Sequence, residues 1–142
     1  MEQVTKGLEV PFCLCTLDID FFKQINDRFG HKCGDAVLRD FVTIAHSVIR
    51  RVDCFGRIGG EEFMLILPRS SVAEGQEIVE RLLQKVRLSR PLSEFPDFSY
   101  SCSAGMTAYQ VAESADDVVL RADQALYAAK ERGRDRLLAV TV

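Results

Sequence analysis

The sequence predicts an α+β fold of the ferredoxin-like, palm-type kind: a mostly antiparallel central sheet of about five strands with helices packed on it. Two observations carry this expectation. Periodicity along the chain reads strand, helix, strand, strand, helix, strand, helix, strand, and Gly59-Gly60 between the two adjacent strands fits a hairpin. The first strand is a nearly continuous apolar run rather than an alternating one, so it belongs in a sheet buried on both faces.

That run is residues 11–19, Pro-Phe-Cys-Leu-Cys-Thr-Leu-Asp-Ile, and it ends at Asp18-Ile19-Asp20. Over residues 35–50, apolar side chains recur at Val37, Leu38, Phe41, Ile44, Ala45, Val48 and Ile49, a helical spacing. Short strands follow at about 53–58 and 62–68, the second closed by Pro68. Ser71-Val72-Ala73-Glu74 is a capping box, and Val72, Val79, Leu82, Leu83 and Val86 continue a helix to about residue 88. Residues 89–97, with prolines and serines, read as a loop. Over 98–108, alternation sets Tyr100, Cys102, Ala104 and Met106 on one face and Ser99, Ser101 and Ser103 on the other. Ser114 caps a helix to about residue 132, with Val118, Leu120, Ala122, Ala125, Leu126 and Ala129 as its inner face. Residues 136–142 form the last strand.

A chain of 142 residues with 47% hydrophobic content supports one substantial core, so residues 1–142 read as a single domain. No apolar run approaches the ~20 residues that span a bilayer, and no secretory signal opens the chain, which makes the cytoplasm the expected location and membrane contact unexpected. Cys13, Cys15, Cys33, Cys54 and Cys102 are scattered through apolar segments without Cys-x-x-Cys spacing and read as reduced core thiols. His31 and Cys33 stand two apart, but no second pair completes a zinc site. A net charge of −3 argues against a nucleic-acid polymer as partner; a phosphate-bearing ligand would be a small nucleotide held by local groups.

Asp18 and Asp20 follow a run that belongs in the core, where an unpaired carboxylate is costly, unless the strand has simply reached solvent. A second acidic pair, Glu61-Glu62, sits at the Gly-Gly hairpin. If hairpin and strand are neighbours, Asp18 and Glu61 converge, and two converging carboxylates favour a hard cation such as magnesium between them. Gly59 and Gly60 permit positive φ in a tight hairpin and close approach of a ligand, or they are an ordinary turn. The segment 21–31 mixes Phe21, Phe22 and Phe29 with Lys23, Asn26 and Asp27 directly after the strand. A helix N-terminus with a lysine attracts phosphate, and Asn26 with Asp35 offers an amide and a carboxylate that can read a guanine edge. Each alone is more often a cap or a surface residue.

Taken together these blocks resemble the GGDEF family of diguanylate cyclases over about residues 9–142. Gly59-Gly60-Glu61-Glu62-Phe63 is similar to its defining motif in a Glu variant. Asp18 to Asp27, followed by Phe29-Gly30-His31 and Gly34-Asp35, looks like a second block, and Tyr127-Ala128-Ala129-Lys130 with Gly133-Arg134 a third. The resemblance implies condensation of two GTP into cyclic di-GMP plus two pyrophosphates. It implies two magnesium ions per active site, with manganese as a substitute. Asp18, Glu61 and the Ile19 carbonyl match the metal ligands, and Asn26 and Asp35 the guanine-reading pair. Phe21, Phe22 and Lys23 match the wrap around the triphosphate, with Gly59 and Gly60 beside the substrate. Lys130 and Arg134 match phosphate contacts from the last helix; a cation-favouring helix C-terminus is the plainer explanation of both. Glu62, beside a metal ligand, would assist deprotonation. Since one domain binds one GTP, turnover implies a homodimer.

Arg50-Arg51-Val52-Asp53 ends six residues before Gly59, where the family carries an inhibitory Arg-x-x-Asp product site; Arg50 and Asp53 match it, and Arg81 matches a secondary arginine. An isolated surface ion pair is the plainer explanation. Two departures stand out. Residues 1–10 lack the Asp-x-Leu-Thr-x-Leu-x-Asn-Arg block expected upstream, so they read as the remnant of a helix or linker in a truncated fragment, and residue 135 is Asp where the family usually has Asn. The rival expectation is a catalytically weak module that binds GTP or cyclic di-GMP and signals by contact, against which the intact Gly59–Phe63 motif argues. An adenylyl-type cyclase or polymerase palm shares the two-carboxylate logic but leaves Asn26 and Asp35 unexplained.

Overall fold

The computed structural model describes residues 11–141. The expectation for residues 1–10 therefore falls outside the described part. The elements are β1 (Phe12–Ile19), α1 (Phe22–Phe29), α2 (His31–Val48), β2 (Cys54–Arg57), β3 (Glu62–Pro68), α3 (Val72–Leu88), β4 (Cys102–Ala108), α4 (Ala115–Glu131) and β5 (Leu137–Val140). Five strands form one sheet in the order β2-β3-β1-β4-β5. All pairings are antiparallel except β4 with β5, which the crossover helix α4 makes parallel. The α+β, mostly antiparallel architecture is as the periodicity predicts.

β1 is the central strand, and its continuous apolar run has a direct cause: both faces are covered. Cys13, Cys15, Leu17 and Ile19 join the main core with Val37 and Phe41 of α2, Val79, Leu82 and Leu83 of α3, and Phe63, Leu65 and Leu67 of β3. Leu14 points the other way, onto Val118 and Ala122 of α4. That helix lies directly on β4, because a Cβ at Gly105 would overlap the backbone of Leu126 and Ala122. Only glycine permits so close an approach.

Several expectations need correction. α1 is a separate helix that periodicity did not isolate, and α2 begins at His31 rather than near 35. β4 starts at Cys102, not at 98, because Cys102 pairs with Ile19, the last residue of β1, and residues before it have no strand to pair with. β5 is limited to Leu137–Val140 by its register on β4, Ala104↔Leu137 to Thr107↔Val140. Leu120 is 58% exposed: it lies two residues from Val118, about 200° around the helix, off the stripe formed by Val118, Ala122, Ala125, Leu126 and Ala129. Cys54 is exposed at the start of edge strand β2, whereas the other four cysteines are buried. Burial raises the Cys13 thiol to about 11, with a nearby Glu74 charge adding to it.

Candidate active site

The antiparallel register of β1 on β3 sets Asp18 opposite Glu62, and the Ile19 N–H donates to the Glu61 carbonyl at 3.2 Å. Strand tip and hairpin are therefore neighbours, and Asp18 and Glu61 line one small cavity of about 150 Å³. Ile19 completes its acidic wall; Phe21, Phe22, Lys23 and Gln24 form the opening of α1 beside it; Lys130 and Arg134 close the basic side. Glu62, Gly59, Gly60, Asn26 and Asp35 do not line this cavity.

Asp18 is only 7% exposed. One carboxylate oxygen, Oδ2, accepts from the Lys130 ammonium, while Oδ1 is buried with no hydrogen-bond partner among the described residues. Burial raises the Asp18 pKa; the Lys130 hydrogen bond and charge oppose that, and the Glu61 and Glu62 charges add to it. An orphaned anionic oxygen beside a second carboxylate is what a divalent cation would satisfy. Magnesium commonly takes one or two carboxylates and completes its shell with water and substrate phosphate. The donor set of Asp18, Glu61 and the Ile19 carbonyl fits that habit, although no group of three or more His, Cys, Asp or Glu side chains able to hold a metal exists among the described residues.

The start of α1 fits an anion. Its N-cap, Phe21, has φ 57° and ψ 32°, and no side chain caps the helix, so the first N–H groups have no capping partner at the cavity. Phe21 stacks under the Arg134 guanidinium, 4.7 Å from ring centroid to Cζ. Arg134 and Asp135 are also left-handed, at φ 64° and 48°, following Gly133 at 116°. Left-handed non-glycine residues cost roughly 1–2 kcal/mol each, and strain of this kind clusters at functional sites.

The Gly59-Gly60 turn is not built as its composition predicts. Neither glycine has positive φ. The turn is held instead by Arg57, whose guanidinium donates to the Gly59 carbonyl at 3.0 Å and the Gly60 carbonyl at 2.6 Å. Gly60 has no atom within 4 Å of where a Cβ would be, so nothing among the described residues packs against it. Asn26 packs its amide on Gly34, next to the exposed Asp35; a Cβ at 34 would overlap Asn26 Oδ1 and come within 2.9 Å of Cγ. A second cavity of about 330 Å³, between α2 and the hairpin, is lined by Leu38, Arg39, Val42, Thr43, Arg57 and Phe63.

Away from this corner, Arg50 and Asp53 form a closed clamp. Arg50 Nη2 donates to Asp53 Oδ1 at 2.7 Å, to Ser70 Oγ at 2.7 Å and to the Pro68 carbonyl at 3.0 Å, while Nε bridges both Asp53 oxygens. Arg81 is exposed on α3 and does not line the roughly 530 Å³ hollow beside Arg50 and Asp53. Sequence reasoning missed Arg57, Gly34's packing role and the role of Asp20, which it marked only as a costly carboxylate after the apolar run. A polar residue at i+2 from Asp18 was the signal for the last, but its partners are distant in sequence.

This is an α+β domain with two carboxylates, an uncapped helix start and two cations converging at the tip of its central strand. The diguanylate cyclase GGDEF-domain model matches residues 2–136, and the chain belongs to the GGDEF-domain family. It is 44% identical over 124 residues to diguanylate cyclase DgcP of Pseudomonas aeruginosa, covering 87% of this chain and 18% of that protein. Among solved structures, it is similar to the active GGEEF domain of a diguanylate cyclase from Vibrio cholerae, with TM-score 0.88, 33% identity, and 97% of this chain and 88% of that one covered. It is also similar to the GGDEF domain of DgcB from Caulobacter crescentus in complex with c-di-GMP, with TM-score 0.89, 33% identity, and 97% and 82% covered. The chain spans 18% to 40% of the length of the curated relatives it matches.

Proposed function

We propose that this domain is a magnesium-dependent diguanylate cyclase that joins two GTP molecules into cyclic di-GMP. The observation that carries it is the buried, unpartnered Oδ1 of Asp18 beside Glu61, at a cavity whose other walls are the uncapped α1 start, Lys130 and Arg134. The Vibrio cholerae domain described as active has the same Gly-Gly-Glu-Glu-Phe motif, so glutamate at position 61 is compatible with turnover.

Asp18, Glu61 and the Ile19 carbonyl would hold two magnesium ions, or manganese in their place. The metal lowers the cost of the ribose 3′-alkoxide and offsets phosphate charge. The N–H groups of Phe22, Lys23 and Gln24, with Lys130 and Arg134, hold the triphosphate in line for attack on the α-phosphorus. Asn26 and Asp35 read the guanine, and Glu62, next to Glu61 in the chain, assists deprotonation of the attacking hydroxyl. One domain holds one GTP, so turnover takes place in a homodimer. Cyclic di-GMP returns as an inhibitor at Arg50 and Asp53, with Arg81 reaching it. The chain acts as one domain in the cytoplasm. No helix among the described residues is long and apolar enough to cross a membrane.

Incubation of the purified chain with GTP and magnesium, followed by nucleotide separation, tests the proposal. Cyclic di-GMP and pyrophosphate in a 1:2 ratio are expected. GTP bound but unchanged would instead favour the binding-module reading, and no binding of GTP would overturn both.

A further inference from the structure

We infer that Asp20 is a positioning residue that aims Arg134 at the nucleotide phosphates by bolting the Gly133–Asp135 turn to the end of β1; this rests on the cyclase reading above. Asp20 is 2% exposed and meets no cation within ion-pair distance among the described residues. Its oxygens are taken instead by three neutral donors. Oδ1 accepts from Ser103 Oγ at 2.6 Å, and Oδ2 accepts from Ser101 Oγ at 2.6 Å and from the Asp135 backbone N–H at 3.0 Å. Its own N–H donates to the Ser101 carbonyl at 3.0 Å.

The Asp135 N–H is the informative partner. Gly133, Arg134 and Asp135 all have positive φ; the Gly133 and Arg134 N–H groups donate back to the Lys130 and Ala129 carbonyls at 3.3 and 3.0 Å, which leaves the Asp135 N–H to be held by Asp20. Asp20 pins it from inside, and Arg87 pins it from outside by donating to the Asp135 carboxylate at 2.8 Å and to its carbonyl at 3.2 Å. Arg134, between the pinned residue and Gly133, is thereby set over Phe21, the residue directly after Asp20. One carboxylate thus joins both left-handed segments that line the catalytic cavity without lining it itself. The Asp135 N–H can only donate and so needs an acceptor at position 20, whereas the two serine hydroxyls can turn to accept from an amide; alanine, which removes every acceptor, is therefore the informative change.

The test is binding of 3′-deoxy-GTP with magnesium, which lacks the attacking hydroxyl, to the unaltered chain, Asp20→Ala, Arg134→Ala and the double variant. Each single change should weaken binding about tenfold, and the double should be no weaker than Arg134→Ala alone, because Asp20 acts only through Arg134. Loss of general stability would not produce that coupling. Unchanged affinity in Asp20→Ala, or an additive loss of about a hundredfold in the double, overturns the inference. Ser101→Ala removes a single donor and covers the case in which Asp20→Ala does not fold. It should weaken binding about threefold alone and not at all in the Arg134→Ala background, and any other pattern counts against the role. Failure of the unaltered chain to bind would overturn the cyclase reading itself, and this inference with it.

Discussion

Two corners of this domain each set a basic side chain on an acidic one, and they differ in what is left unmet. At the tip of β1, Lys130 reaches one oxygen of Asp18 and the other is buried without a partner. Before β2, Arg50 engages both oxygens of Asp53, whose side chain is 0% exposed, and reaches Ser70 and Pro68 through Nη2, while its Nη1 has no partner among the described residues. The first corner carries an electrostatic demand that burial sharpens. At the second the carboxylate is saturated, and any ligand that takes Asp53 must first break hydrogen bonds already made. Similar ion pairs thus differ in readiness: one gains by accepting a cation, the other must open.

The contrast can be broken most directly at Glu61. Glu61→Gln should abolish cyclic di-GMP formation while stability to denaturant stays within about 0.5 kcal/mol, since the residue is on a turn. Unchanged turnover would remove the two-carboxylate site. The unmet demand at Asp18 should also appear as ligand-linked stability. Magnesium with a GTP analogue at a hundred times Kd should stabilise the protein by about 2.7 kcal/mol, and Asp18→Asn should lose most of this in a thermal melt. The pH dependence has a definite sign. The Asp18 pKa is raised, so its contribution favours the fold below the ordinary carboxylate range and is lost as pH rises through the raised value. Magnesium-induced stabilisation should therefore grow as pH rises through that value and fade below it.

At the saturated corner, Arg50→Ala should weaken cyclic di-GMP binding by about ten- to a hundredfold, the worth of hydrogen bonds to a charged group, and leave GTP binding unchanged by calorimetry. Equal product affinity would return Arg50 and Asp53 to a surface ion pair. Asn26→Ala should cost about tenfold in preference for GTP over ATP, and Gly34→Ala should reproduce it by displacing the Asn26 amide. Retained preference in both would remove Asn26 as a base reader. The smallest effect is expected from Ser70→Ala, which loosens the clamp on Arg50: cyclic di-GMP should bind about twofold to threefold more tightly, as one competing hydrogen bond from a solvent-screened guanidinium is lost. Weaker binding would mean that the closed clamp is itself the binding form.

Much of the fold was legible because its signals are local. The continuous apolar run of β1, the stripes of α2 and α3, and the capping boxes at Ser71 and Ser114 depend on residues within a turn or two of one another. The motif blocks likewise marked Asp18, Glu61, Lys130 and Arg134, which the fold brings to one cavity. α1 was missed because its stripe of Phe22, Ile25 and Phe29, though packed on the core, spans only eight residues before Gly30, too short a run for periodicity to stand out. Gly59 and Gly60 composed like a positive-φ turn, yet Arg57 holds their carbonyls and the φ angles stay negative.

The amino-acid order by itself determined which segments become strands and helices and which residues are chemically able to hold metal and phosphate. Only the tertiary structure decided which of those residues meet, and with how much of their hydrogen bonding already used. Ser103 lies 83 residues from Asp20, the Asp135 N–H 115, and Lys130 lies 112 residues from Asp18. Such partners are set by strand register and by the crossover of α4, where a shift of one residue turns every side chain to the opposite face.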